Sequence, residues 1–330
     1  MNKEVLDRLK NAGLLSEQVP DMGFVSTGSY ALNKIISGNY TRGIPIGMIT
    51  QIHGEASTAK TVFATHILKE AQAAGHYTML VDSENAYNPE FAMHLGLDPE
   101  KLIYAAPETL EDCFQVIEDT IKAIRESDSD TPIVIAYDSI AVSPSKSEYE
   151  AESYDGNNMQ GAVRAKATGA CLRKINPLMR KYKVALVIIN QIRNKVGVMY
   201  GDPTTMAAGG KSLEYYLGVN LKTISNKTSD LIRDEHKVVV GIKGTVRNTK
   251  NKVSVPFREC EFELMYNEGL DPYAGVLQML EADGLVKRAG AWYSVDGTDS
   301  KFQSKEFKEM LLNPAEKGFA PLHKVFGISS

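Results

Sequence analysis

An apolar run, Met48-Ile49-Thr50-Gln51-Ile52-His53, leads into Gly54-Glu55-Ala56-Ser57-Thr58-Ala59-Lys60-Thr61, and a helical pattern follows from Val62 to Ala74. A strand, a glycine-led loop ending in Lys-Thr, and then a helix is the layout of a phosphate-binding loop. This stretch constrains the fold most, because it ties a buried strand to a helix whose N-terminus faces an anion. Backbone N–H groups of such a loop converge on phosphate oxygens, and the helix dipole adds to the attraction. Lys60 would reach the β- and γ-phosphates, and the Thr61 hydroxyl would hold Mg²⁺. Where the usual pattern has glycine before the lysine, this chain has Ala59. Alanine accepts right-handed helical angles, so Ala59 is expected to open the helix, with its methyl close to the phosphates.

The segments around this loop alternate. Strand-like runs at Met48–His53, His76–Val81, Leu102–Ala105, Ile133–Tyr137 and Ala185–Asn190 are separated by helical patterns at Thr61–Ala74, Pro89–Leu95, Leu110–Glu126 and Met159–Tyr182. That alternation predicts an α/β fold with a mainly parallel sheet covered on both faces. After Lys211 the pattern changes to strands at Val219–Ile224, Lys237–Ile242, Val246–Lys252 and Glu259–Leu264 with no clear helices between them, read as an antiparallel extension. Residues 1–25 contain a short amphipathic helix, 26–275 the main domain, and 276–330 a small α+β domain with a hairpin at Gly290-Ala291-Trp292-Tyr293-Ser294.

Three buried strands end in polar groups. Ile133–Tyr137 is followed by Asp138, which would lie beside the loop and take part in holding Mg²⁺. Met79-Leu80-Val81-Asp82-Ser83-Glu84 ends in acid, and Glu84 could orient and deprotonate an attacking water. Ala185–Asn190 is followed by Gln191, whose amide can bond a γ-phosphate oxygen without adding charge. Loss of that contact on hydrolysis could release the next loop. Each residue alone reads as a cap or a solvated strand end, but three together are harder to explain that way.

Two further segments look suited to another polyanion. Ser143–Gly161 is polar and opens the long helix that carries Met159, Arg164 and Arg173. Arg193–Lys211 contains Arg193, Lys195, Val196, Gly197, Val198, Gly201, Thr204, Thr205, Gly209, Gly210 and Lys211. Glycines let backbone N–H groups approach phosphates, Arg and Lys neutralise them, and Met159, Val196 and Val198 are apolar tips able to wedge between bases. Each segment alone reads as a plain surface loop.

Composition narrows the class without naming it. The 330 residues are 43% hydrophobic and carry a net charge of −4, so overall charge does not signal nucleic acid and any such site must be local. Cys113, Cys171 and Cys260 are scattered without metal spacing, as in a reduced cytoplasmic protein. No apolar run approaches a membrane span.

Taken together, these residues resemble the RecA family of recombinases, particularly its phage-type members. The resemblance runs from about Ser26 to Ser294. It rests on Ser26-Thr27-Gly28-Ser29, the phosphate loop, Asp82-Ser83-Glu84-Asn85-Ala86, Asn190-Gln191-Ile192-Arg193 with the residues up to Gly201, Lys250-Asn251-Lys252 with Pro256-Phe257, and the Trp292 hairpin. It implies a RecA-like core and a filament-forming, DNA-dependent ATPase that uses ATP and Mg²⁺, coats single-stranded DNA and exchanges strands with a homologous duplex. Single-strand-binding and mediator proteins would be further partners. It also implies that Glu84, Lys60 and Gln191 carry catalysis, and that Asn88, Phe91 and Tyr266 lie on the adenine side. Lys250 and Lys252 would reach a neighbouring subunit's nucleotide, with Tyr215 at the same interface. The segments 143–161 and 193–211 would be the first and second DNA loops. Departures are Ala59, Asn88 in place of an acid, and a short N-terminal helix. The region after Val276 has no acidic tail. An ATP-binding mediator without strand exchange and a hexameric motor are the alternatives on the same core.

Overall fold

The computed structural model describes residues 3–12, 21–151, 158–194, 204–206, 208, 210–226, 228–313 and 315–328. The described residues build an eleven-stranded sheet. Its parallel strands lie in the order Leu217–Ile224, Ile49–Gly54, Val184–Asn194, Ile133–Asp138, Tyr77–Asp82, Leu102–Ala105. The strand Ile49–Gly54 is therefore flanked by two strands that come late in the chain, while its successor, Tyr77–Asp82, lies beyond two others. Order reverses beside it, and in open α/β sheets the crevice at the carboxyl ends of strands at such a point accepts ligands.

Both faces of the sheet are covered, which explains the near-continuous apolar runs. Along one strand, Ile133, Ile135 and Tyr137 face a layer built from the helices Leu110–Ser127 and Asn158–Lys181. The intervening Val134 and Ala136 face the opposite layer, which includes the helices Tyr30–Ser37 and Lys60–Ala73. Phe63, fully buried one turn after the phosphate loop, meets Phe262 of the antiparallel wing edge to face at 5.1 Å. Burying such a ring stabilises by about 2–3 kcal/mol, so the loop's helix is anchored within its first turn.

Periodicity located the strands of the wing but divided one of them. The expected strands Lys237–Ile242 and Val246–Lys252 form one strand, Val239–Asn251, paired on either side with Leu217–Ile224 and Glu259–Met265. Gly244 does not interrupt it: a Cβ there would strike the Ile224 carbonyl, so glycine serves close strand approach. The strand at Ala185–Asn190 also runs on to Asn194, and Thr204–Met206 folds back on it as Ile192↔Met206 and Arg193↔Thr205. Arg193, Thr204 and Thr205 are thus on a β-ribbon rather than in a loop. Besides the short helix Lys146–Tyr149 inside the polar segment 143–161, two helices are not read in the sequence. One is Tyr30–Ser37, capped by the Ser29 side chain and closed by Gly38 at φ 83°. The other is Gly210–Tyr216.

The C-terminal strands Val286–Ala289, Trp292–Val295 and Lys301–Gln303 form their own sheet. Phe326, on the last helix, packs against Tyr30 at 4.8 Å and Tyr40 at 5.3 Å. Asp283 pairs with Lys34 at 2.6 Å and accepts from the Tyr40 hydroxyl at 3.0 Å. This segment therefore shares its apolar core with the helical layer beside the phosphate loop.

Two buried histidines tie stability to pH. His66 Nε2 accepts from the Leu270 amide at 3.1 Å, a bond that only the neutral ring makes. Burial pushes His66 down to about 4, and His53 likewise to about 4. Both folded values lie below the unfolded one, so stability is intact above pH 6.5 and is lost as pH falls from 6.5 towards 4. Each ring accounts for up to about 3 kcal/mol across that window. Urea denaturation at pH 7 and pH 4.5 is expected to show a large loss in the native chain and a smaller one in His66→Gln.

Candidate nucleotide site and nucleic-acid interface

The phosphate loop leaves the buried strand at Gly54 and enters the helix at Lys60. Gly54 is required by its neighbour across the sheet, because a Cβ there would strike the Thr223 hydroxyl. Thr223 Oγ1 lies 2.7 Å from Thr58 Oγ1, and Thr58 donates to the Glu55 carbonyl at 2.9 Å. One residue before Gly54 in the same strand, His53 Nδ1 is 2.9 Å from Asn220 Oδ1. Side chains of the strand Leu217–Ile224 thus hold the loop's base from the side.

Ala59 does not open the helix in the expected way. It lies in the left-handed region at φ 64°, and Ser57 at φ 63° does the same. The chain must reverse its twist before turning into the helix, which is the reason glycine is usual here. For an L-residue that conformation costs roughly 1–2 kcal/mol. Lys60 is the first helical residue and is buried, its ammonium directed at the Glu55 carbonyl.

The polar strand ends converge on this loop. The Thr61 hydroxyl donates to Asp138 Oδ2 at 2.6 Å. Burial pushes Asp138 up to about 6, with Glu84 and Asp82 adding repulsion and Thr61 and Lys60 opposing. Glu84 Oε1 accepts from Ser139 Oγ at 2.7 Å and from Gln191 Nε2 at 3.2 Å. Asp82 accepts from the amides of Glu84 and Tyr87 and from the Tyr104 hydroxyl, fixing the turn that carries Glu84. A cavity of about 250 Å³ lies among Ala56, Lys60, Thr61, Glu84, Asp138 and Gln191.

These donors fit a nucleotide with Mg²⁺. A hydroxyl and a carboxylate within 2.6 Å of each other are hard oxygen ligands, and the buried carboxylate is short of positive charge. Among the described residues there is no group of three acidic, His or Cys ligands, and none is needed where phosphates supply the remaining oxygens.

Other expected site residues lie apart. Asn88 caps the helix Pro89–His94, its side chain accepting from the Phe91 amide at 3.0 Å. Phe91 and Tyr266 are half exposed. Lys250 and Lys252 are directed at the Glu214 and Tyr215 carbonyls, at the negative end of the helix Gly210–Tyr216. Desolvation lowers the Lys250 pKa. Lys250 pairs with Asn220, which is level with Gln51. It is thus two strands across from Gly54 and three residues down, a span of roughly 14 Å. Its ammonium cannot reach the phosphate loop of its own chain. Arg173 is exposed and Arg164 half-buried on the long helix Asn158–Lys181, and Gly210 begins the helix Gly210–Tyr216. Lys195, Val196, Val198 and Gly209 lie outside the described residues, as do the side chains of Met159, Arg193 and Lys211.

Residues 10–271 match the family model of the RecA N-terminal domain. The chain belongs to the RecA family. It is 32% identical over 299 residues to Protein RecA of Chlorobium chlorochromatii, covering 91% of this chain and 80% of that protein. It is 34% identical over 292 residues to Protein RecA of Chlorobaculum parvum, covering 88% and 79%. Identity to Protein RecA of Thermus aquaticus is 35% over 270 residues, covering 82% and 75%. This RecA-family chain is accordingly a DNA-dependent ATPase of recombination and repair that uses ATP and Mg²⁺. Among the described residues no helix is long and apolar enough to cross a membrane.

Reading the sequence alone missed Ser139, Thr223 and Asn220. Ser139 was signalled only by following Asp138, and the other two by nothing local, since cross-strand register alone brings them to the loop. Ala59→Gly would relieve the left-handed strain and is expected to raise stability by about 1 kcal/mol in urea denaturation. An unchanged or lower midpoint would show that the Ala59 methyl stabilises the loop by packing.

Proposed function

We propose that this chain polymerises on single-stranded DNA and uses ATP to pair that strand with a homologous duplex and exchange it. The observation that carries the reading is the convergence of Lys60, Thr61, Asp138, Glu84 and Gln191 on one cavity at the point where strand order reverses. In this reading Lys60 and the loop amides hold the phosphates. Thr61 and Asp138 hold Mg²⁺, which when bound offsets charge on the β- and γ-phosphate oxygens. Glu84 takes a proton from water as the water oxygen bonds the γ-phosphorus. The bond from that phosphorus to the bridging oxygen breaks with its electron pair, giving ADP and phosphate. Gln191, bonded to Glu84, reports the γ-phosphate to the ribbon in which the end of its own strand pairs with Thr204–Met206.

Phe91, Asn88 and Tyr266 take the adenine side. Lys250, too far from its own loop, and Lys252 serve the nucleotide of the next subunit, with Tyr215 at the same seam. ATP then joins two protomers by charge-assisted bonds. Residues 143–161 and 193–211 grip the DNA backbone, the first with Arg164 and Arg173 of the long helix it opens, the second through Arg193, Lys195, Lys211 and the glycines Gly209 and Gly210. Binding is sequence-tolerant and weakens with salt. Residues 26–275 form the ATPase core, 1–25 an oligomerisation segment and 276–330 an appended domain. Ala59 in place of the loop glycine supports the phage-type assignment, with the host cytoplasm as the compartment.

Lys60→Ala is expected to abolish DNA-stimulated ATP hydrolysis. Glu84→Ala is expected to keep ATP-dependent binding of single-stranded DNA while turnover falls at least a hundredfold. Incubated with ATP, Mg²⁺, single-stranded DNA and a homologous duplex, the native chain alone should form joint molecules. Hydrolysis without joint molecules would instead mark a mediator.

A further inference from the structure

Glu84 stands on an exposed turn, where a carboxylate ordinarily samples several rotamers. Here one of its oxygens is held. Ser139 Oγ donates to Oε1 at 2.7 Å, closer than the 3.2 Å bond from Gln191 to the same oxygen. Neither donor takes Oε2. Both are neutral, so they aim the carboxylate without a full positive charge beside it.

Ser139 is itself held from three strands and is fully buried. Its amide donates to Ser83 Oγ at 3.1 Å, and Ser83 Oγ donates to the Ser139 carbonyl at 2.9 Å. The Ser83 amide donates to the Asp138 carbonyl at 2.9 Å, joining the ends of Tyr77–Asp82 and Ile133–Asp138. The next amide, Ile140, donates to the Ile189 carbonyl of Val184–Asn194 at 3.1 Å. Ser143 Oγ adds a bond to the Ser139 carbonyl at 3.3 Å. A hydroxyl has one hydrogen to give, and in this frame it goes to Glu84. A buried hydroxyl on rigid backbone is the kind of support that keeps a catalytic group within a fraction of an ångström of its working position.

We propose that Ser139 is a positioning residue for hydrolysis, fixing the Glu84 carboxylate so that its free oxygen meets the attacking water. The proposal rests on Glu84 being the base. Its effect falls on the chemical step and not on nucleotide binding, because Ser139 donates to Glu84 while Lys60, Thr61 and the loop amides are left intact.

The test is steady-state, DNA-stimulated ATP hydrolysis by the full chain, with KM and kcat resolved, for Ser139→Ala, Ser139→Cys, Glu84→Ala and the double variant Ser139→Ala/Glu84→Ala. Ser139→Ala should lower kcat about tenfold with KM within about twofold. Ser139→Cys, close in size with a weaker donor, should fall between it and the native chain. In the Glu84→Ala background Ser139→Ala should change nothing further, because the group it orients is gone. Native kcat in Ser139→Ala, or an equal tenfold loss in both backgrounds, would overturn the proposal. High activity in Glu84→Ala would instead overturn the assignment of the base. If Ser139→Ala does not fold, Ser139→Cys decides: native kcat in that variant, or the same loss with and without Glu84, sinks the proposal.

Discussion

The bond from the Thr61 hydroxyl to the Asp138 carboxylate joins two elements that nothing in local sequence connects. Thr61 belongs to the first turn after the phosphate loop, and Asp138 ends a strand two positions away in the sheet. The carboxylate is buried, and its pKa is raised to about 6 chiefly because water has been removed from it. A group so placed is poorly compensated by one hydroxyl and a nearby ammonium. In the function proposed above, positive charge arriving with phosphate would make good that deficit.

The same crowding explains the loop. Parallel strands packed by near-continuous apolar faces leave little room at their carboxyl ends, and Thr223 occupies the space beside Gly54. The chain must therefore turn tightly, through left-handed positions at Ser57 and Ala59. The Thr58–Thr223 contact supports that turn from a strand which itself follows the helix Gly210–Tyr216 and pairs with the strand carrying Lys250. A change in the loop is in this way mechanically adjacent to the faces assigned to DNA and to the next subunit.

Much of this was legible beforehand. The alternating segments were read to within a few residues, because a parallel sheet covered on both sides leaves strong apolar runs and amphipathic helices. Lys60, Thr61, Asp138, Glu84 and Gln191 were identifiable because they stand at strand ends or in a loop with a recurrent layout. What failed has physical causes. Propensity gives Ala59 right-handed angles because it describes a residue's preference and not the turn forced on it. The strand Val239–Asn251 was split because Gly244 looks like a break, whereas its neighbours need the missing side chain. The capping of the helix Pro89–His94 by Asn88 is visible only when the Phe91 amide is in place, and it leaves the adenine-side role proposed for Asn88 open.

The alternation of strand and helix, the phosphate loop and the polar residues that end three strands can be read along the chain, since each is a local pattern of hydrophobicity or residue type. Which strands are neighbours emerges with the folded sheet alone. That order puts Thr61 on Asp138, Ser139 and Gln191 on Glu84, and Lys250 beyond reach of its own loop. The physical reason is that register and strand order come from packing of both sheet faces over the whole chain, and no window of adjacent residues contains them.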